Sequence, residues 1–134
     1  MAGRRNRQLI KAVSRLWNLV DECAEPGWDG NGAEPISRAA AERAVEFVRA
    51  LPEDIEMPEF APEPDGCISL DWIRAKSKLI SLSIGAGEKI AYAWLDGSDR
   101  GHAVAAFDGH DVPWRILEEV KGIVGHPNAA VRAS

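Results

Sequence analysis

Cysteine is scarce in this 134-residue chain: Cys23 and Cys67 are the only two, and they form no Cys-x-x-Cys pair. A disulfide framework therefore has no sequence support, and both read as small apolar side chains of a reducing compartment. Long apolar runs are missing too. No stretch approaches the roughly 18 residues that span a bilayer, and the start Met1-Ala2-Gly3-Arg4-Arg5-Asn6-Arg7 has no uninterrupted apolar region behind it. The expected address is the cytoplasm, with no membrane contact. Phosphate-cradling loops are absent, because Gly85-Ala86-Gly87 lacks the third glycine, the Lys-Ser or Lys-Thr pair and the helix start that such loops use. Histidine is limited to His102, His110 and His126, whose spacing converges on no metal. Asp29-Gly30-Asn31 opens like a calcium loop, but the obligatory glycine would be Glu34 and the closing glutamate Ala40. Neither a cofactor nor a metal is expected.

Basic residues are missing from one stretch in particular. Glu53, Asp54, Glu56, Glu59, Glu63 and Asp65 fall in a segment punctuated by four prolines and containing no Lys or Arg. More widely, residues 21–66 hold thirteen acids against three bases, whereas residues 1–20 hold five bases and no acid. The acidic segment is expected to dock a basic protein partner rather than nucleic acid, since phosphate binding needs clustered Lys and Arg. Only the basic N-terminus (Arg4, Arg5, Arg7, Lys11, Arg15) could contact nucleic acid.

What is present is clear periodicity. Leu9, Ile10, Val13, Leu16, Trp17 and Val20 recur at three- and four-residue steps, predicting an amphipathic helix from Asn6 to Glu22. Pro26 and Gly27 end it. Asp29, Gly30, Asn31 and Gly32 form the next turn, with Trp28 as its anchor. Ser37 is placed to cap a second helix that Pro52 stops. The interval from Pro52 to Asp65 reads as an extended connector with one edge strand at most, because proline cannot donate to a ladder. Alternation of period two then marks Ile68-Leu70-Trp72, Ile80-Leu82-Ile84 and Ile90-Tyr92-Trp94, with a fourth strand from His102 to Phe107. Asp111 and Pro113 open a last helix carrying Ile116, Leu117, Val120, Ile123 and Val124. The fold class is therefore α+β: two N-terminal helices, an antiparallel meander of three to four strands, and a C-terminal helix packed on one sheet face. Residues 1–125 are expected to form a single domain and 126–134 a flexible tail. The other sheet face is small and partly polar, and could take a helix, a partner or a second copy in a homodimer.

No group of residues assembles a nucleophile, base and orienting partner, so no catalytic residue is assigned. Asp71 is the best carboxylate for a small hydrolase or nuclease-like alternative, paired with a histidine or with Asp29, and Cys67 is the one thiol worth considering. Trp28 and Trp114, both near turns, are candidate anchors of a binding patch.

The segment Trp28-Asp29-Gly30-Asn31-Gly32-Ala33-Glu34-Pro35-Ile36, followed by Asp65-Gly66-Cys67-Ile68-Ser69-Leu70-Asp71-Trp72, resembles a pattern in a scattered set of small uncharacterised bacterial proteins. The resemblance covers about half the chain, and Asp71 stands where Glu is common. The genes of those proteins often travel with mobile or conflict-type loci, so by association the resemblance implies a partner-binding role, and it carries over no catalytic assignment. Together these readings predict a non-catalytic cytoplasmic bacterial binding module, of the antitoxin or immunity type, that docks a basic partner through acidic residues. A third alternative is an inhibitor whose carboxylates mimic nucleic-acid phosphates.

Overall fold

The computed structural model describes residues 2–125; the expected tail, and His126 within it, lie outside the described residues. Helix α1 (Ala2–Glu22) and helix α2 (Arg38–Ala50) come first. Strands β1 (Glu59–Pro62), β2 (Ile68–Ala75), β3 (Lys78–Ile84), β4 (Lys89–Asp96) and β5 (Asp99–Ala106) follow, and helix α3 (Trp114–Val124) closes the described chain. All five strands pair antiparallel in sequence order, so the sheet is an uninterrupted meander with β1 and β5 at its edges.

The helices lie over one sheet face because the strands alternate. Ile68, Leu70, Trp72, Ile80, Leu82, Ile84, Ile90 and Tyr92 point to that side and are buried with Leu16 of α1, Phe47 and Val48 of α2, and Ile116, Val120 and Ile123 of α3. Phe107 joins them, its ring meeting Phe47 edge-on at 5.4 Å between centroids. Burial of such aliphatic and aromatic groups is the main force holding the domain together, at roughly 1.5–3 kcal/mol per fully buried large side chain.

Local chemistry sets most helix ends. Ser37 accepts a hydrogen bond from the Ala40 N–H at 3.2 Å, capping α2 as its sequence predicts, and Leu51 before Pro52 ends it. Helix α1 starts earlier than expected. Arg5 explains why that first turn is held: its guanidinium donates to the carbonyl oxygens of Ile55 (3.0 Å), Leu51 (3.2 Å) and Pro52 (2.6 Å). One arginine thus ties the first turn of α1 to the segment that follows α2.

Three expectations need correction. The sheet has five strands rather than three to four, because the edge strand expected between Pro52 and Asp65 forms, as Glu59–Pro62 paired with β2, beside four meander strands. Strand β5 begins at Asp99 rather than His102, since Gly97-Ser98 makes a two-residue turn with Gly97 at φ 66°. Asp111 does not cap α3: Pro113 occupies the cap position without a side-chain bond. The capping-type carboxylate is instead Asp108, which accepts from the N–H groups of His110 (2.8 Å) and Asp111 (2.9 Å).

The two glycine-bearing segments that stand out in the sequence meet in space. The Glu34 N–H donates to Pro64 O at 2.8 Å and the Ser37 N–H to Gly66 O at 2.9 Å. Gly66 sits at φ 90°, and a Cβ there would lie 3.0 Å from the Pro35 carbonyl oxygen. Asp29 braces the first segment by accepting from Asn31 (2.8 Å) and Ala33 (3.0 Å), while Trp28 Nε1 donates to Glu34 O at 2.7 Å. The signature is therefore a clamp joining the start of α2 to the β1–β2 turn.

Candidate functional site

The acidic segment is laid along the body and pinned at several points. Trp72 Nε1 donates to the Glu56 carbonyl oxygen at 2.9 Å, and the Glu56 carboxylate pairs with Arg74. Arg74 also donates to Val124 O at 3.1 Å, tying the end of α3 to the same point. Burial lowers the pKa of the Arg5 guanidinium, and the charges of Glu53 and Asp54 oppose that lowering in part. Asp65 caps its own turn by accepting from the Cys67 N–H at 3.0 Å. Arginines distant in sequence, Arg5 and Arg74, thus partly neutralise a stretch that has no base of its own.

What remains outward lies at the β1 end of the sheet face that the helices leave uncovered. The register places Glu59, Asp71, Ser81, Ala93 and His102 in one row across all five strands, and Ala61, Ser69, Ser83, Ala91 and Val104 in the next. A third row holds Ile73, Leu79, Leu95 and Arg100. Glu59 and Asp71 face each other directly, where like charges repel. Asp71 accepts from the hydroxyls of Ser69 (2.6 Å) and Ser81, and Glu63 accepts from Ser83 at 2.5 Å. The middle of the face is thus a floor of Ser and Ala with carboxylates along one side. A groove of about 340 Å³ runs over it, lined by Glu63, Ser69, Ser81, Ser83, Ala91 and His102 among others. A second groove, of about 470 Å³, lies beyond the β1 edge, where Arg15 and Glu22 of α1 approach Glu59 and Asp71.

Reactive chemistry finds no assembled centre in this arrangement. Three strand spacings separate Asp71 from His102, roughly 14 Å between backbones at 4.7–4.9 Å per strand. Asp29 has one carboxylate oxygen bound to two backbone N–H groups, which hold its pKa below the usual carboxylate value, the Asn31 bond most of all. Cys67 is on the open face beside Gly85. Burial pushes its thiol up to about 11, with the bond and charge of Asp65 and the charge of Glu63 acting the same way. It is therefore a thiol, not a thiolate, at neutral pH. Among the described residues no three His, Cys, Asp or Glu side chains gather as a metal ion requires.

The two tryptophans proposed as anchors differ. Trp28 is half-buried against the core and gives its N–H to the turn. Trp114 is 67% exposed, with the Arg115 guanidinium 5.3 Å from its ring centroid. It belongs to α3, on the helix-covered side, so the sheet separates it from Glu59, Asp71 and Glu63. Along α3 it is also ten residues from Val124, about 15 Å of helix rise from the Arg74 anchor. Trp28, through Glu34, borders Pro64 between Glu63 and Asp65, whereas Trp114 is not brought into that patch.

Sequence reasoning missed the row register that sets Glu59 against Asp71, and the hydroxyls that hold Asp71 and Glu63. The alternation of β2 and β3 signals that Ser69, Asp71, Ser81 and Ser83 share a face, but only the pairing shows which of them meet. No protein-family model, curated protein or solved structure matches this chain. No helix among the described residues is long and apolar enough to cross a membrane.

Proposed function

We propose that this protein is a non-catalytic cytoplasmic binding module that docks a basic protein partner through the carboxylates at the β1 end of its open sheet face. Glu59, Asp71 and Glu63 are the central contacts, with Glu53, Asp54, Glu56 and Asp65 contributing the surrounding negative field. The observation that carries this reading is the register pair Glu59↔Asp71, two carboxylates set directly opposite on an edge. Such a pair costs folding stability through repulsion, and a cationic side chain placed between them would remove the cost. The Ser and Ala floor beside it offers room for the stem of a lysine or arginine. The resemblance to small bacterial proteins of conflict-type loci supports an antitoxin or immunity role for such a module.

The test is charge reversal combined with salt. Glu59→Lys with Glu63→Lys lowers affinity for the cognate partner at least tenfold at low salt, and wild-type affinity falls steeply as salt rises. Asp71→Asn retains a carbonyl oxygen for the two serine hydroxyls and weakens binding less. The cognate partner is sought as the product of the neighbouring gene, by co-expression and rescue of growth. Unchanged rescue and affinity in the double reversal would refute this reading; loss of function only on Asp71→Asn would favour a hydrolytic role.

A further inference from the structure

Strand β5 is the terminal strand of the meander, and its eight residues contain no Pro and no Lys. Its register with β4 runs without a bulge from Asp96↔Asp99 to Lys89↔Ala106. Among the described residues, no hydrogen bond from outside the β4 ladder reaches the backbone of residues 99–106. Short length, proline, bulges and a covering element are usual ways a protein blunts an edge, and β5 shows none of these; its charges, Asp99 and Arg100, stand only at the turn end, leaving residues 101–106 uncharged apart from His102.

The phase of the free groups follows from the turn. In a two-residue hairpin the closing pair, here Asp96↔Asp99, exchanges backbone hydrogen bonds, and the pattern then alternates. Asp99, Gly101, Ala103 and Ala105 therefore direct their N–H and C=O groups to β4. Arg100, His102, Val104 and Ala106 direct theirs to the empty edge.

We propose that this edge is a self-association surface, on which β5 of a second copy pairs antiparallel with β5 about a two-fold axis to form a continuous ten-stranded sheet. The register of greatest overlap is centred on Ala103 and makes roughly eight backbone hydrogen bonds. It sets Arg100 opposite Ala106 and His102 opposite Val104 of the second copy, so no two like charges face each other. The other side of the strand carries Gly101, Ala103 and Ala105, which give a neighbouring backbone free approach.

Charge also selects the second copy at this edge. The carboxylates of the 53–65 segment and Asp71 sit at the opposite end of the sheet, with β1 and β2, whereas at β5 the acids are confined to the strand's ends, Asp96 and Asp99 at its turn and Asp108 beyond Ala106. Joining at β5 leaves nine strand spacings between the two β1 strands, roughly 43 Å. That is several times the screening length of about 8 Å at physiological salt, so two chains of net charge −5 meet with their acidic ends apart. On the helix-covered side of the edge Gly101, Ala103 and Ala105 supply no side-chain pocket that would select a foreign peptide, and the groove that reaches His102 and Val104 lies on the open face. The two-fold arrangement leaves Glu59, Asp71 and Glu63 open on both copies, so this proposal is independent of the acidic docking reading.

Sedimentation velocity on the full chain, from about 5 to about 500 µM, reads the association directly. Wild type moves from monomer toward dimer over that range, with a dissociation constant that changes less than about twofold between 0.1 and 0.5 M salt. Val104→Pro removes an outward N–H without touching the β4 ladder, and is expected to remain monomeric with an unchanged far-UV spectrum. Should that variant not fold, Val104→Lys reads the same edge, raising the dissociation constant at least tenfold. A wild type still monomeric at the highest concentration overturns the proposal. So does a dimer equally strong in a folded variant, or a β5 edge that pairs only with a foreign extended peptide.

Discussion

Strands β1 and β5 close the two ends of one sheet and are built to opposite plans. Strand β1 is four residues long, ends in Pro62, carries Glu59 and lies against α1. Strand β5 is twice as long, is nearly neutral, and among the described residues has β4 as its only extensive neighbour. Identical ladder bonds hold both, so the difference lies in what each can still do. At β1 the backbone is shortened and shielded while charge is displayed, which suits recognition by side chains. At β5 the side chains are small and the backbone is displayed, which suits recognition by another strand.

Each end also depends on one glycine, and substituting these sharpens the comparison with the largest expected effects. Gly66→Ala at the β1 end places a Cβ against Pro35 O in a left-handed backbone conformation that L side chains rarely adopt. We expect a loss of about 2–3 kcal/mol in denaturant unfolding, with the clamp between the α2 start and the β1–β2 turn loosened. Gly101→Ala at the β5 end drives a methyl group into the ring of Trp94, a half-buried side chain rather than backbone, which must shift to admit it. The expected loss is smaller, about 1–2 kcal/mol, and is accompanied by a change in tryptophan fluorescence. Equal losses at the two sites would remove the contrast between a rigid backbone neighbour and a yielding side chain.

A smaller effect separates the ends by pH. Backbone N–H groups hold the Asp29 pKa below the usual value, so its contribution is present above an unfolded pKa of about 3.9 and is lost as pH falls through the folded value. Glu119, near the β4–β5 turn, is shifted upward by burial and then by the charges of Asp99 and Asp96. Its contribution has the opposite sign, being present below about pH 4.3 and lost as pH rises through the folded value. At pH 7 Asp29→Asn is expected to lower the melting temperature and Glu119→Gln to raise it. At pH 3 both differences shrink. A Glu119→Gln variant no more stable than wild type at pH 7 would show that the acids around that turn do not repel measurably.

Local signals carried much of this architecture. Ser37 and Pro52 bound α2 because a hydroxyl cap and a missing N–H act within a few residues, and the alternation in β2, β3 and β4 shows directly which side chains are buried. What could not be read were pairings between distant residues. Arg5 extends α1 by binding carbonyls near residue 52, and Arg74 neutralises Glu56, though nothing in the spacing announces either. The two signature segments likewise read as separate turns, and only their hydrogen bonds reveal one clamp. The same limit applies to the site: the acids of the 53–65 segment were evident, whereas the meeting of Glu59 with Asp71, a residue first considered for catalysis, depends on strand register.

Residue-resolved amide hydrogen exchange at low and high protein concentration probes both edges in one experiment. The account predicts that the amides of Arg100, His102, Val104 and Ala106 exchange quickly when dilute and become protected when concentrated, while those of Asp99, Gly101, Ala103 and Ala105 are protected throughout and those of β1 do not respond. Concentration-dependent protection along β1, or outward β5 amides whose exchange ignores concentration, would contradict it.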